Sequence, residues 1–395
     1  MNKQRIVIIL LLLMCVIFVC GCGAENSKDP VAVPDLTAVP ASSPSPTPLP
    51  TPTPTPPVNV LGKEYSRDIT AIDLTDLKNE DVPQAVQELK ALESLQQIDL
   101  PVEGENLLTL DNLTLIREAL PAVKLNCAFE LYSLTVSSTD TEITFVKEPI
   151  GNDGADTLRQ AIPLLSSCTR LLLDNCGLDN EVLAELRDEF PQTKIVWSIL
   201  ISNHPHYTDI ERIRTTAVDN KIADLFKYFT DVKYIDMGHR KVMTNWEFLS
   251  YMPHLQVLVV SITDFSDKDL WYLTNCPELE FLEMFSCRVT DLTPLAECTS
   301  LQYLNIGNLP GITDISPLYG LKNLKRLRIC QDNVPQEQKD EITQLLPDCE
   351  MLFAPGHPGF SGNWRYDDDG NPLERYALLY EQFDYQEWPW ADWQW

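Results

Sequence analysis

Five stretches of the chain spell the same six-residue phrase. Val232-x-x-Ile235-x-Met237, Leu255-x-x-Leu258-x-Val260, Leu279-x-x-Leu282-x-Met284, Leu301-x-x-Leu304-x-Ile306 and Leu324-x-x-Leu327-x-Ile329 begin 23, 24, 22 and 23 residues apart. A unit of this length is one supersecondary turn, with an apolar side that only its neighbours can cover. The alternation within the phrase is that of a strand, so it predicts one short strand per coil and a stack of parallel strands. The apolar residues point into a shared interior. The residues between them point to solvent from the other face of the sheet.

Spacing and spelling resemble the leucine-rich repeat. Weaker copies precede the five: Ile69-x-x-Ile72-x-Leu74, Leu95-x-x-Ile98-x-Leu100 and Cys168-x-x-Leu171-x-Leu173-x-x-Cys176-x-Leu178. The last fits the longer consensus, in which Asn or Cys takes the tight turn leaving the strand, and Cys287 holds the same place after Leu279. Residues 81–92 and 180–190 carry helical periodicity with acidic or amide starts and belong on the convex side. Val289-Thr-Asp-Leu292-Thr-Pro-Leu295 and Ile312-Thr-Asp-Ile315-Ser-Pro-Leu318 resemble the internalin-type repeat, whose convex side is a compact, often 3₁₀, element. Asp291 and Asp314 are expected to tie down turn amides, and Pro294 and Pro317 to open the outer element. The resemblance implies an α/β solenoid: a leucine-rich-repeat horseshoe with a parallel concave sheet and a helical or 3₁₀ convex side.

A longer period overlies the first. Leu120-Pro121-x-x-Lys124-Leu125, Phe190-Pro191-x-x-Lys194-Ile195 and Leu346-Pro347-x-x-Glu350-Met351 each close a helical stretch and open a β-prone one. Two of these run on through residues 125–132 and 195–202, read as long strands leading into inserted hairpins at 131–145 and 199–210. The repeat domain spans 58–354. Residues 355–395 leave the pattern and are expected to form a C-terminal cap with a tail bearing Trp388, Trp390, Trp393 and Trp395.

The N-terminus reads as an address. Lys3 and Arg5 precede an apolar run from Ile6 to Val19, short for a bilayer span and suited to a signal-peptide core. Val19-Cys20-Gly21-Cys22 resembles the bacterial lipobox. That resemblance implies a signal peptide over 1–21, lipidation at Cys22 and a protein held on the extracellular face of the cell membrane. Prolines recur between Pro34 and Pro57, at every second position from Pro44 to Pro56. Fixed φ and missing amide protons favour polyproline II at about 3.1 Å per residue, so the run reaches roughly 70 Å within a lipid-anchored stalk expected over 22–57.

Charge narrows the partners. The chain carries −28, and losing Lys3 and Arg5 with the signal leaves 28 basic against 58 acidic residues, or −30. Nucleic-acid binding needs clustered Lys and Arg and is not expected. No nucleophile elbow, zincin helix, phosphate-cradling loop or dinucleotide fingerprint occurs, so neither enzyme activity nor a cofactor is expected. His204-Pro-His206 lacks further metal ligands and reads as an exposed loop pair, and Asp367-Asp368-Asp369-Gly370-Asn371 reads as an acidic turn. Eight cysteines follow Cys22: Cys127, Cys168, Cys176, Cys276, Cys287, Cys298, Cys330 and Cys349. Most fall at small buried or turn positions of the repeat, so free thiols are expected, although Cys276 and Cys298 should stack closely enough to bridge.

The solvent-pointing positions of the concave sheet are the candidate site: Tyr234 and Asp236, Val257 and Val259, Phe281, Glu283 and Phe285, Tyr303 and Asn305, Arg326 and Arg328. Aromatics on neighbouring rungs, edged by a basic pair on an acidic protein, have the composition of a binding hot spot. Either this ribbon is exposed for recognition or the C-terminal segment folds back over it. The expectation carried forward is an exposed ligand-binding ribbon of Tyr234, Asp236, Phe281, Glu283, Phe285, Tyr303, Asn305, Arg326 and Arg328. By resemblance to bacterial leucine-rich-repeat surface proteins the partner is a protein. The alternatives are a glycan, with the aromatics as sugar platforms, or a role as an envelope scaffold.

Overall fold

The computed structural model describes residues 56–201, 204–214, 219–239, 243–330, 332–353, 364–367, 369 and 371–383. The proposed signal peptide, Cys22, most of the stalk and the terminal tryptophans lie outside them. The described chain is a leucine-rich-repeat solenoid. It opens on an antiparallel hairpin, β1 (Val58–Val60) and β2 (Lys63–Tyr65). The amide of Leu61 in its turn donates to Glu88 Oε2 of the first convex helix, Val82–Leu89, at 2.8 Å.

Parallel strands then come in three blocks. The first holds β3 (Ala71–Asp73), β4 (Gln97–Asp99) and β5 (Lys124–Asn126). An antiparallel hairpin follows, β6 (Ala128–Leu131) and β7 (Leu134–Ser137). The second block is β8 (Glu142–Val146), β9 (Arg170–Asp174) and β10 (Lys194–Val196), followed by the hairpin β11 (Ser198–Ile201) and β12 (His204–Tyr207). The third is a seven-stranded sheet of β13 (Arg212–Arg214), β14 (Tyr234–Asp236), β15 (Val257–Val259), β16 (Phe281–Glu283), β17 (Tyr303–Asn305), β18 (Arg326–Arg328) and β19 (Glu350–Leu352), in chain order.

The Leu/Phe-Pro motif closes each block by one local geometry. Leu120, Phe190 and Leu346 end the helices Leu110–Ala119, Asn180–Glu189 and Gln336–Leu345 with φ of −133°, −122° and −125° and ψ of 63°, 65° and 66°. The following proline bars the preceding residue from helical ψ, so the chain leaves the helix there. The carbonyl of each then accepts an amide three residues on, from Val123, Thr193 and Cys349.

The two hairpins are inserted alike. Cys127 and Ser138 exchange a backbone bond of 2.8 Å and a side-chain bond of 3.0 Å, and Trp197 and Thr208 do the same at 2.9 and 3.3 Å. Both hairpins were expected, but the first ends earlier than residues 131–145 implied. Glu142–Val146 is a rung of the second block, pairing in parallel with β9. Nor are 125–132 and 195–202 single long strands, since each breaks at Cys127 or Trp197. His204 and His206 lie on strand β12 rather than in a loop.

In the largest block Ile213, Ile235, Leu258, Leu282, Leu304, Leu327 and Met351 stand in direct register as one inward column. The middle five of these are fully buried. Truncating a leucine in such a column costs about 2–5 kcal/mol. The coils of β14 to β17 leave the sheet through a left-handed residue five positions after the strand begins: His239, Ile262, Ser286 and Asn308, with φ of 54–65°. Their amides donate to the next coil's carbonyls at Ser261, Phe285, Gly307 and Cys330 over 2.7–3.2 Å. The convex side is 3₁₀ at Thr293–Glu297 and Ser316–Leu318, with the two prolines in the first turn. Asp291 accepts from the Thr293 amide and Asp314 from that of Ser316, both at 2.9 Å, as the internalin-type spelling predicted. All eight cysteines of the repeat domain are free, seven of them buried.

Candidate functional site: the concave face of the seven-stranded sheet

Register arranges the outward residues into two columns. One runs Arg212, Tyr234, Val257, Phe281, Tyr303, Arg326, Glu350; the other runs Arg214, Asp236, Val259, Glu283, Asn305, Arg328, Leu352. Strand alternation alone dictates this, and it brings the predicted residues onto one surface. The sequence reading missed the flanking rungs, because neither Arg212–Arg214 nor Glu350–Leu352 belongs to the five clear repeats.

That surface is covered by the chain's own C-terminal segment. Trp364 packs on Phe281 at 5.9 Å between ring centroids, and Tyr376 meets the same ring edge-on at 6.0 Å. The helix Glu374–Phe383 carries its apolar residues at helical spacing, Tyr376, Leu379, Tyr380 and Phe383, and this stripe lies on the sheet. Phe383 reaches Tyr234 at 6.3 Å, and the Gln382 carbonyl accepts from Arg212 at 3.4 Å. The segment thus runs backwards from β16–β18 towards β13. Its described part lies across the concave face instead of over the last coil, where a cap was expected.

Exposure therefore differs from the sequence expectation. Phe281, Glu283, Phe285, Asn305 and Arg328 are buried, and Tyr234, Asp236, Tyr303 and Arg326 are half-buried. Two of them have local work. Asp236 Oδ1 accepts from the Gly238 amide and Asn305 Oδ1 from that of Gly307, each at 3.0 Å, closing the turn after the strand. A Cβ at Gly307 would sit 3.1 Å from the Phe285 ring and 3.0 Å from Cys330 Sγ, so a side chain there would push the ring by a few tenths of an ångström. Arg328 stacks over the same ring, 5.4 Å from the Phe285 centroid.

Glu283 is the focus. Its carboxylate, 1% exposed, accepts from Trp364 Nε1 at 2.9 Å, from Ser261 Oγ at 3.1 Å, and from Tyr376 and Arg365. Burial alone would raise its pKa, but the Arg365 guanidinium and the Tyr376 and Trp364 donors outweigh that and hold it below the ordinary value. Arg365 is pushed up by Glu283 despite its own burial, and Tyr376 is pushed well up, first by burial. The charged carboxylate is the form this site selects. None of Trp364, Arg365, Tyr376 and Arg375 was on the sequence-derived site, although the aromatic stripe of the last helix was there to be read.

Between the segment and β16–β19 a cleft of about 270 Å³ remains open, bordered by Phe281, Tyr303, Arg326, Glu350, Trp364 and Arg375. Arg375 stacks over Phe281 and Tyr303 at 5.1 and 5.6 Å, Arg326 over Trp364 at 5.9 Å, and Arg326 pairs with Glu350 at 2.9 Å. The acidic turn before the helix binds itself: Asp367 accepts from the amides of Asp369 and Asn371 at 3.0 and 2.7 Å.

No protein-family model matches the sequence, and no curated protein sequence is significantly similar to it. Among solved structures, a Leptospira interrogans leucine-rich-repeat protein aligns over 68% of this chain and 74% of its own, at 17% identity and a TM-score of 0.33. Internalin F of Listeria monocytogenes aligns over 75% and 85%, at 18% identity and 0.33, and internalin C2 of the same organism over 64% and 84%, at 15% and 0.25. These scores are too low to superpose coil on coil, so the assignment rests on the repeats and strand register themselves: the chain is a leucine-rich-repeat solenoid.

Proposed function

We propose that this is a lipid-anchored, leucine-rich-repeat binding protein of the cell surface, which recognises a protein partner through its concave face. The observation that carries the reading is that this face already grips a polypeptide, residues 364–383, by an aromatic ribbon and a buried carboxylate. Large aromatic contacts around one desolvated charge are the make-up of a recognition hot spot. The predicted residues Phe281, Tyr303 and Arg326 border the open cleft, while Tyr234, Asp236, Glu283, Phe285, Asn305 and Arg328 serve a partner only where the segment gives way. Binding, not catalysis, is what such a surface does. Anchoring at Cys22 and the proline-rich stalk rest on the sequence and would hold this face away from the membrane.

A photoreactive residue at Lys325, which is exposed and lines the cleft, should cross-link a polypeptide in intact cells. The same group at convex Glu185 serves as the reference, and equal yields at both positions would sink the concave-face reading. Cys22→Ala should release the protein from the membrane fraction, and retention there would sink the anchor.

A further inference from the structure

We propose that residues 364–383 are an internal ligand of the concave face, and that the partner displacing them presents the same chemistry: a basic residue beside an aromatic one, followed by an amphipathic helix. This rests on the concave face being a polypeptide-binding surface and adds both its regulation and the class of its partner.

Three observations carry it. First, the segment packs in a cluster of its own, with Val257, Val259 and Phe281 on the sheet and Trp364, Tyr376, Leu379 and Phe383 above it. The solenoid interior is a separate, continuous core that includes none of these seven. Removing the segment leaves the coils closed.

Second, the segment is held by a charge. Glu283 is buried at the centre of the face, flanked by Val257, Val259 and Phe281, and it is answered from the segment by Arg365, Tyr376 and Trp364. A buried ion pair adds little net stability over apolar packing, but an unanswered buried carboxylate is severely penalised. Glu283 therefore demands a basic, donor-rich occupant, whichever chain supplies it. Selection by an unpaired charge is a device of specific recognition.

Third, the fit is incomplete. Arg365 Nε is buried without a hydrogen-bond partner among the described residues, and the cleft beside Trp364 stays open. A partner that satisfies the guanidinium fully and fills the cleft has the advantage over the resident segment.

The test uses the full-length chain in detergent and, as probe, a fluorescent synthetic peptide with the sequence of residues 364–383. In the Arg365→Glu chain two carboxylates would face each other, so its own segment leaves and the face is vacant. This chain should bind the peptide at least tenfold more tightly than the wild type, whose own segment competes. Glu283→Arg should lose binding of the native peptide and gain binding of a peptide carrying Arg365→Glu. The double variant, Glu283→Arg with Arg365→Glu, should re-form the internal pair and return to the wild-type response. Equal affinity of the wild-type and Arg365→Glu chains overturns the proposal. So does a large drop in thermal unfolding temperature for Arg365→Glu, which would make the segment part of the core. Repeating the Lys325 cross-link on both chains separates the two readings. Cellular products of equal yield keep the binding surface and refute the internal ligand. No cellular product, with peptide still bound tightly by Arg365→Glu, supports the internal ligand and refutes the surface role.

Discussion

Replacing Glu283 with Gln keeps the side chain's shape and deletes its charge, and the consequence can be sized from its surroundings. Trp364 Nε1, Tyr376 Oη, Ser261 Oγ and Arg365 all donate to the carboxylate. A glutamine offers one acceptor oxygen and turns an amino group towards the remaining donors. Arg365, whose side chain is 18% exposed, then loses its directly bonded anion and keeps the charge of Asp236 nearby. Breaking a buried pair from one side costs about 3–5 kcal/mol, and the residual solvent access of Arg365 puts the loss near the lower figure, about 3 kcal/mol. Every one of these groups except Ser261 sits on the segment, so the loss falls on docking and not on the coils. At about 1.4 kcal/mol per tenfold, the undocked population rises on the order of 100-fold. Hydrogen exchange read by mass spectrometry should show amides of 376–383 exchanging faster by about that factor, with the strands around Leu282, Leu304 and Leu327 unchanged. Native protection over 376–383 would refute the reasoning, as would loss of protection in those strands, which would make Glu283 a support of the solenoid.

The depressed pKa of Glu283 makes docking pH-dependent: its contribution is complete above the ordinary value of 4.5 and is lost as pH falls through the lower folded value. Protection of 376–383 should therefore decline on acidification below the ordinary carboxylate value of 4.5, and a rise there would reverse the assigned sign. Leu282→Ala, one residue away but facing inward, should cost about 2–5 kcal/mol in global denaturant unfolding, unlike its neighbour; a loss confined to the segment would contradict the register. Ile262 holds φ of 62°, a left-handed conformation costing a β-branched residue about 1–2 kcal/mol, so Ile262→Asn should raise the unfolding temperature by a few degrees. A lower temperature would mean its half-buried side chain matters more than its backbone. Burial pushes the Cys276 and Cys298 thiols up to about 12, so iodoacetamide at pH 8 should label neither until denaturant is added, and prompt labelling would contradict their burial.

The repeat phrases placed β14 to β18 residue by residue, because an inward column leaves strand register no freedom: a slip of one would turn every leucine to solvent. The convex turns were legible for the same reason, since Asp291 and Pro294 act within a few residues of themselves. What escaped was non-local. Glu142–Val146 lacks the leucine spelling and reads as a hairpin arm until β9 is seen beside it. Strand alternation puts the concave positions on one face, but their exposure depends on where residues 364–383 go, and no periodicity in the coils encodes that. Tyr376, Leu379 and Phe383 form the stripe of an amphipathic helix in need of a surface; Glu283, set between Val259 and Asn305 on a sheet of aromatics, marks a surface in need of a cation. Each half was visible, and their meeting was not.

The two block junctions have a consequence for how such a chain can change size. Lys124 and Lys194 open equivalent strands, as do Glu142 and Arg212, and both pairs are 70 residues apart. The hairpins between them use matching hydrogen bonds at Cys127–Ser138 and Trp197–Thr208. Cutting at one junction and rejoining at the other would leave the same strand edge and the same donors awaiting a partner, so deletion or duplication of the intervening stretch keeps every coil paired. Length variants of this protein should accordingly differ by whole 70-residue increments, the seven-rung face and its latch passing unaltered from one to the next.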